Sequence, residues 1–192
     1  AHFAIMASAY AKAAYGVENP KVGLLNNGAE AHKGNEVHQA AYKLLSKMDC
    51  INFGGNAEGR DIMYSDFDVI VSDGFSGNVA LKAMEGCGKT VSEVLKKAAN
   101  ESFFNKLGLP CAWGTVGKLK SMLDYHKYGG SVFLGLKKIV VKSHGSSKAK
   151  SICASVPKAA EAYEHHLTEN IERTLAAVAL QAVESACREE NA

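Results

Sequence analysis

The chain has 192 residues, 47% of them apolar, which suffices for a real core in one ordinary domain or two small ones. Its 22 basic residues nearly balance 20 acidic ones, leaving a formal charge of +2 that excludes the broad basic footprint of a nucleic-acid-binding protein and points to a small or protein partner. The five cysteines form no C-x-x-C pair and no zinc spacing, so they read as reduced thiols of a cytosolic protein, and no segment approaches the ~20 apolar residues of a membrane span.

The opening AHFAIMASAYAKAAYG lacks the basic n-region of a signal peptide. Phe3, Met6 or Ala7, Tyr10 and Ala14 recur at helical spacing up to Gly16, a natural stop, and Pro20 blocks a return to helix. No capping residue precedes these apolar positions, so the helix reads as entered midway and the chain as a fragment of something longer. Strand KVGLLN follows. Residues 35–47 form the next expected helix, with Val37, Ala40, Ala41, Leu44 and Leu45 on one face, leading to a short strand at Ile51–Phe53. Asp68–Ser72 is a further strand, and Gly77–Ala99 is largely helical. Residues 101–128 break the rhythm, with Phe103, Phe104, Leu107, Leu109, Cys111 and Trp113 gathered around Pro110 and flanked by Lys106, Lys118 and Lys120. Such an apolar loop with basic neighbours suits a membrane surface or a partner, and equally burial against another subunit. YGGSVFLGLKKIVVKSHGSS restores the strand pattern, and roughly Lys148 to Cys187 is expected to be helical. This alternation of strands and helices predicts an α/β protein with a mostly parallel sheet and helices on both faces.

Four times an apolar strand runs into a loop rich in glycine and reactive side chains: KVGLLNNGAEAHKGN, INFGGNAEGRD, VIVSDGFSGNV and KKIVVKSHGSS. In a parallel sheet the carboxyl ends of the strands open on one crevice, where ligands bind. Asn26, Glu30, Lys33, Asn35, Asn56, Glu58, Asp61, Asp73, Asn78, Lys142, His144 and Ser146 are then expected to face a common space. Turns alone account for the glycines and asparagines. They account less well for Lys, His, Glu and Asp recurring at the same end of each strand.

Other motifs carry less. Ala83-Met-Glu-Gly-Cys-Gly-Lys89-Thr90 matches a relaxed phosphate-binding loop, but its strand ends too early and GNVALKAMEG already reads as helix. Glu164, His165 and His166 lack metal-site spacing and read as a solvated helix face. Ser143 and Ser146 flank His144 without the G-x-S-x-G elbow that would expose a nucleophile. KSHGSS is the most chemical stretch: Lys142 supplies a point charge for phosphate, His144 a proton donor or acceptor near neutral pH, and Gly145 access to backbone N–H groups, helped if a helix begins at Ser146 or Ser147.

Taken together, LLNNGAE-x-x-KGNE, NFGGNAEGRD, SDGFSGNVALK and YGGSVFLGLKKIVVKSHGSS resemble the bacterial phosphate acyltransferases of phospholipid synthesis, from about Phe3 to the helix near Ala160. The resemblance implies the layered α/β fold shared with isocitrate and isopropylmalate dehydrogenases, a homodimer, and a protruding helical hairpin at residues 91–128 for dimer and membrane contact. It covers the carboxyl-terminal three-fifths of such a protein as one α/β unit. The family's opening strand, its Asp-Ala-x-Gly-Gly-Asp loop and further Gly-rich loops have no counterpart here. Asn27 stands where an apolar residue is usual, and Lys148 where an acidic or amide residue often follows HGSS.

The implied activity moves a fatty acyl group from acyl-acyl carrier protein to inorganic phosphate, with no cofactor and no metal. Lys142, His144 and Asn78 are the expected catalytic residues. Asn26, Gly28, Glu30, Lys33, Asn35, Asn56, Glu58, Asp61, Asp73, Gly77, Gly145 and Ser146 are the expected substrate-binding set, with Asn26, Asn56 and Asn78 as donors to an oxyanion or to the carrier's pantetheine arm. Glu58, Asp61 and Asp73 are expected to orient basic side chains. The implied partners are acyl carrier protein, phosphate, a second copy of the chain, the membrane, and a membrane glycerol-3-phosphate acyltransferase, with a cytoplasmic, peripherally membrane-associated location. Two other readings differ in class: an NAD- and metal-dependent hydroxy-acid dehydrogenase of the same fold, which needs a carboxylate cluster, and a non-catalytic scaffold that binds carrier protein through Lys96, Lys97 and Lys106.

Overall fold

The computed structural model describes residues 1–101, 130–143, 145 and 147–189, with the backbone alone at 95, 98–101 and 180–189. Among these residues the elements run α1 (His2–Tyr15), β1 (Lys21–Leu25), α2 (Glu36–Leu45), β2 (Asn52–Ala57), a 3-10 turn (Gly59–Ile62), β3 (Val69–Val71), α3 (Gly74–Glu101), β4 (Gly130–Phe133), β5 (Val140–Ser143), α4 (Ala149–Glu164) and α5 (Leu167–Glu189). Most of the expected hairpin at 91–128, including the apolar loop Phe103–Trp113, lies outside the described residues.

Helix α1 is rich in alanine, the best helix former. It stops at Gly16, whose φ of 66° is left-handed; the Gly16 and Val17 N–H groups turn back to the Lys12 and Ala11 carbonyls, as an αL end requires. β1 is the central strand of a parallel sheet of order β2-β1-β3. It reads Val-Gly-Leu through its buried stretch, the near-continuous small and apolar run of a strand covered on both faces. Val22, Leu24 and Val71 from this sheet form one core with Ala4 of α1 and Leu45 of α2. Tyr42 and Phe53 flank it edge to face, ring centroids 5.2 Å apart.

β2 extends further than Ile51–Phe53, through the glycines to Ala57. The two glycines make this possible. Phe53 pairs with Val22 and Asn56 with Leu24, so the ladder shifts across Gly54 and Gly55, and Gly55 takes a φ of 99°. Gly54 has a second constraint, since a Cβ there would stand 2.7 Å from Lys21 Cε and 2.8 Å from Phe67 Cε1.

The strand ending in KSHGSS departs from expectation. β5 does not join the parallel sheet but pairs antiparallel with β4 in a separate two-stranded sheet, Ser131 opposite Lys142 and Val132 opposite Val141. The cause is the short connection Leu134–Ile139, which turns at Gly135 with φ 77°. A parallel pairing would need a crossover of about a dozen residues. The expected continuous helix from 148 to 187 also divides: α4 ends at Glu164, His166 adopts φ 50°, and α5 starts at Leu167. That reversal brings Leu167 and Ile171 back onto Ala162, the second core, which also gathers Met6, Ala9, Tyr10 and Ala13 of α1 with Val132, Leu134 and Ile139 of the hairpin. His165 and His166 therefore occupy an interhelix turn rather than a helix face.

Leu45 is 1% exposed and its neighbour Leu44 53% exposed. Leu45→Ala is expected to destabilise the protein by about 2–5 kcal/mol, and Leu44→Ala by less than about 0.5 kcal/mol, read from urea unfolding midpoints. Equal costs would contradict this placement of α2.

Candidate functional site

Three of the four expected loops leave the same edge of the parallel sheet. After β1 the chain is locked at once: the Asn26 N–H donates to the Ala57 carbonyl at 2.8 Å, and Asn26 Nδ2 reaches forward to the Lys33 carbonyl at 3.1 Å. Asn56, 6% exposed near the end of β2, donates from Nδ2 to the Glu30 carbonyl at 2.7 Å, while its Oδ1 is buried without a partner among the described residues. Lys33 Nζ lies 3.9 Å from Glu30 Oε1. Gly34 takes a φ of 84°, and a Cβ there would stand 2.7 Å from Asn26 Oδ1. The loop from 27 to 34 is thus closed on itself by asparagine amides, with Gly28 packed under Lys33 and Glu30.

Asn35 ends this loop as the N-cap of α2, its Oδ1 accepting from the His38 N–H at 3.1 Å. The same oxygen lies 2.7 Å from His38 Nδ1. Asp73 plays the matching part for α3, where Oδ1 accepts from the N–H groups of Phe75 at 2.9 Å and Ser76 at 2.8 Å. The Ser76 side chain foremost, and then the N–H groups of Ser76 and Phe75, hold the Asp73 carboxyl below its ordinary pKa. Gly77 completes the turn: its N–H donates to the Asp73 carbonyl at 3.1 Å, and a Cβ there would collide with Ser72 Oγ.

Asn35, His38, Ser72 and Asp73 form the polar side of a cleft of about 390 Å³, whose apolar lining includes Phe3 of α1 and Leu24, Val37, Leu45 and Val71. Its apolar floor and few polar groups suit a ligand with a hydrocarbon part. His38 is the residue that sequence reasoning missed here. Its signal was available, since the residue three places beyond an Asn N-cap presents its N–H to that Asn.

The remaining expected residues divide. Of the three carboxylates expected to orient basic groups, Glu58 pairs with Arg60, whereas Asp61 Oδ2 accepts from the Glu58 N–H at 2.8 Å and Asp73 serves backbone N–H groups. Asn78 is exposed in the first turns of α3. Ala83–Thr90 lies inside α3, more than two turns beyond the end of β3, which removes the strand directly before the loop that a phosphate-binding loop demands. Lys142 is exposed on β5, in the other sheet from the strand-end loops. His144 and Ser146 lie outside the described residues. Gly145 is exposed, and a Cβ there would meet open space. The helix that follows starts at Ala149, later than Ser146 or Ser147, and its N-cap Lys148 gives no side-chain cap. Ser147 Oγ, just before it, is buried with no hydrogen-bond partner among the described residues. Among the described residues, no three His, Cys, Asp or Glu side chains come together as metal ligands. No helix among them is long and apolar enough to cross a membrane.

Comparison with known proteins bears on this arrangement. A family model described as "Fatty acid synthesis protein" matches residues 1–170. A phosphate acyltransferase of Thermoanaerobacter pseudethanolicus is 43% identical over 174 residues, 88% of this chain and 52% of that protein. One from Clostridium perfringens is 45% identical over 165 residues, 86% of this chain and 49% of its own length, and one from Gloeobacter violaceus is 41% identical over 173 residues, 90% and 51% respectively. The chain thus spans about half the length of the curated relatives it matches.

Asp73 supplies a pH test. Its folded-state pKa lies below the ordinary value of an aspartate carboxyl. As pH falls, the unfolded chain therefore takes up the proton first, so the Asp73 contribution is present above that value and is lost as pH drops through the lowered folded pKa. Asp73→Asn keeps a capping oxygen but cannot titrate. Urea midpoints of the wild type and this variant should differ less at pH 3 than at pH 7, and a gap that does not depend on pH would refute the cap.

Proposed function

Because the chain belongs to the fatty acid synthesis protein family, we propose that it acts in acyl transfer to phosphate, moving a fatty acyl group from acyl-acyl carrier protein to inorganic phosphate to give acyl phosphate for phospholipid synthesis. The observation that carries this reading is the alignment of relatives named phosphate acyltransferase across 86–90% of the chain. The wider α/β architecture of isocitrate and isopropylmalate dehydrogenases is proposed with it, the described part forming one unit of such a fold.

In this reading a phosphate oxygen attacks the thioester carbonyl carbon, a C–O bond forms, and the C–S bond breaks. The carrier's thiolate leaves readily because its conjugate acid has a pKa of about 8.5. The protein then mainly positions the reactants and stabilises the oxyanion. Lys142, His144 and the backbone around Gly145 hold the phosphate, with Ser146. The buried, unpartnered Ser147 hydroxyl and the uncapped start of α4 favour an anion at this point, since both leave donors unsatisfied. Asn78 is the proposed donor to the oxyanion. Asn26 and Asn56, whose amide N–H groups already hold the 27–34 loop, act by fixing Gly28, Glu30, Lys33 and Asn35 in place. Glu58, Asp61, Asp73 and Gly77 shape the neighbouring turns. The apolar cleft beside Asp73 and Asn35 suits the acyl chain.

A homodimer, and peripheral attachment of a cytoplasmic protein to the membrane through Phe103–Trp113 beside a membrane glycerol-3-phosphate acyltransferase, belong to the same proposal. Their support is the apolar and basic composition of that segment.

The deciding experiment measures free thiol released from palmitoyl-acyl carrier protein, with and without phosphate. Release is expected to require phosphate and to fall about 10²-fold or more in Lys142→Ala. Release that ignores phosphate or Lys142, or none from a folded chain, would remove this reading of the isolated chain. Leu109→Asp with Trp113→Asp is expected to abolish liposome sedimentation, and undiminished sedimentation would remove the membrane role.

A further inference from the structure

A polar cleft of about 380 Å³ lies between α1 and α5, with Cys50 of the loop before β2 also on its wall. Ser8 and Lys12, one helical turn apart on α1, line one wall. Asn170, Arg173 and Thr174, likewise on one face of α5, line the other, and His165 closes the end at the interhelix turn. Among the described residues, none that lines this cleft is acidic. Lys12, Arg173 and His165 thus bring three basic side chains to the cleft.

Two features indicate a built site rather than a chance grouping. Arg173 Nη2 donates to Asn170 Oδ1 at 3.0 Å, and Asn170 Nδ2 donates to the His165 carbonyl at 3.0 Å. This chain fixes the guanidinium against the turn while leaving its other N–H groups for a ligand. Independently, Ser8 is 7% exposed and its Oγ is buried with no hydrogen-bond partner among the described residues. A buried hydroxyl in mid-helix ordinarily bonds back to a carbonyl one turn earlier, so an unsatisfied one bordering a basic cleft calls for an acceptor.

We propose that the α1–α5 cleft binds a phosphate group, with Lys12 and Arg173 neutralising its charge and the Ser8 hydroxyl donating to one of its oxygens. The group is either inorganic phosphate or the terminal phosphate of a monoester. The site is separate from the one assigned to Lys142 and Gly145, and none of its residues belongs to that set.

The test is equilibrium dialysis of the whole chain with inorganic phosphate alone, and separately with methyl phosphate, at constant ionic strength set by chloride. Lys12→Gln and Arg173→Gln should each weaken the binding assigned here about tenfold, and Ser8→Ala by a smaller factor. Arg173→Lys should recover part of the affinity. Binding of methyl phosphate as tight as that of phosphate identifies a monoester site, and exclusion of the ester identifies a site for the free ion. Phosphate uptake that Lys142→Ala abolishes while Lys12→Gln and Arg173→Gln spare it overturns the proposal and leaves the acyl-transfer reading intact. Should the variants fail to fold, the NMR resonances of the His165 ring and the Ser8 amide in the wild type decide: phosphate must shift them, and their indifference to it overturns the proposal.

Discussion

The structure depends on α1 being buried from two sides. Ala4 packs into the parallel-sheet core with Val22, Leu24, Leu45 and Val71, while Met6, Ala9, Tyr10 and Ala13 face the hairpin and the α4–α5 turn. Small side chains are what allow this. Alanine carries almost no rotamer entropy and lets neighbouring backbones come close, so one thin helix can separate two layers that would each lack a cover. The β4-β5 hairpin in particular needs a helix against it, since a lone two-stranded ribbon is marginal in water.

The strand-end loops acquire their order from this frame by short-range hydrogen bonding rather than by burial. Asn26, Asn35, Asn56 and Asp73 each commit a side-chain group to a backbone group of a loop or a helix start. Polar residues used in this way give a rigid rim at low cost, because the loop backbone would otherwise need water to satisfy it. The apolar floor of the adjoining cleft comes from α1, α2 and the sheet, so a hydrocarbon chain and a polar head would meet different parts of the same cleft.

Much of this was legible in the residues. The αL stop at Gly16, the helix faced by Leu45, the three parallel strands and the helical context of Lys89-Thr90 all follow from local pattern, because each is decided within a few residues. What pattern could not reach were choices made by distant packing. The apolar run before KSHGSS has the same composition whether it pairs parallel or antiparallel, and only the tightness of the turn at Gly135 decides. The break at His166 shows no glycine or proline at the turn itself; it is imposed by Leu167 and Ile171 finding Ala162. Gly54-Gly55 reads as a loop, yet glycines also allow a strand to bulge and continue. The α1–α5 cleft was invisible because Ser8 and Arg173 are brought together only by the fold.

The layout of α1 also has a consequence for the order of events during synthesis. Its first face can be covered once β1, α2 and β3 exist, but its second face waits for Leu167, Ile171 and Leu175. At a translation rate of about 5–20 residues per second, that interval lasts on the order of ten seconds. For that time Met6 and Tyr10 have no apolar neighbour of their own from the carboxyl-terminal helix. The nascent chain therefore presents a half-covered helix, the kind of surface that chaperones hold and that other unfinished chains stick to.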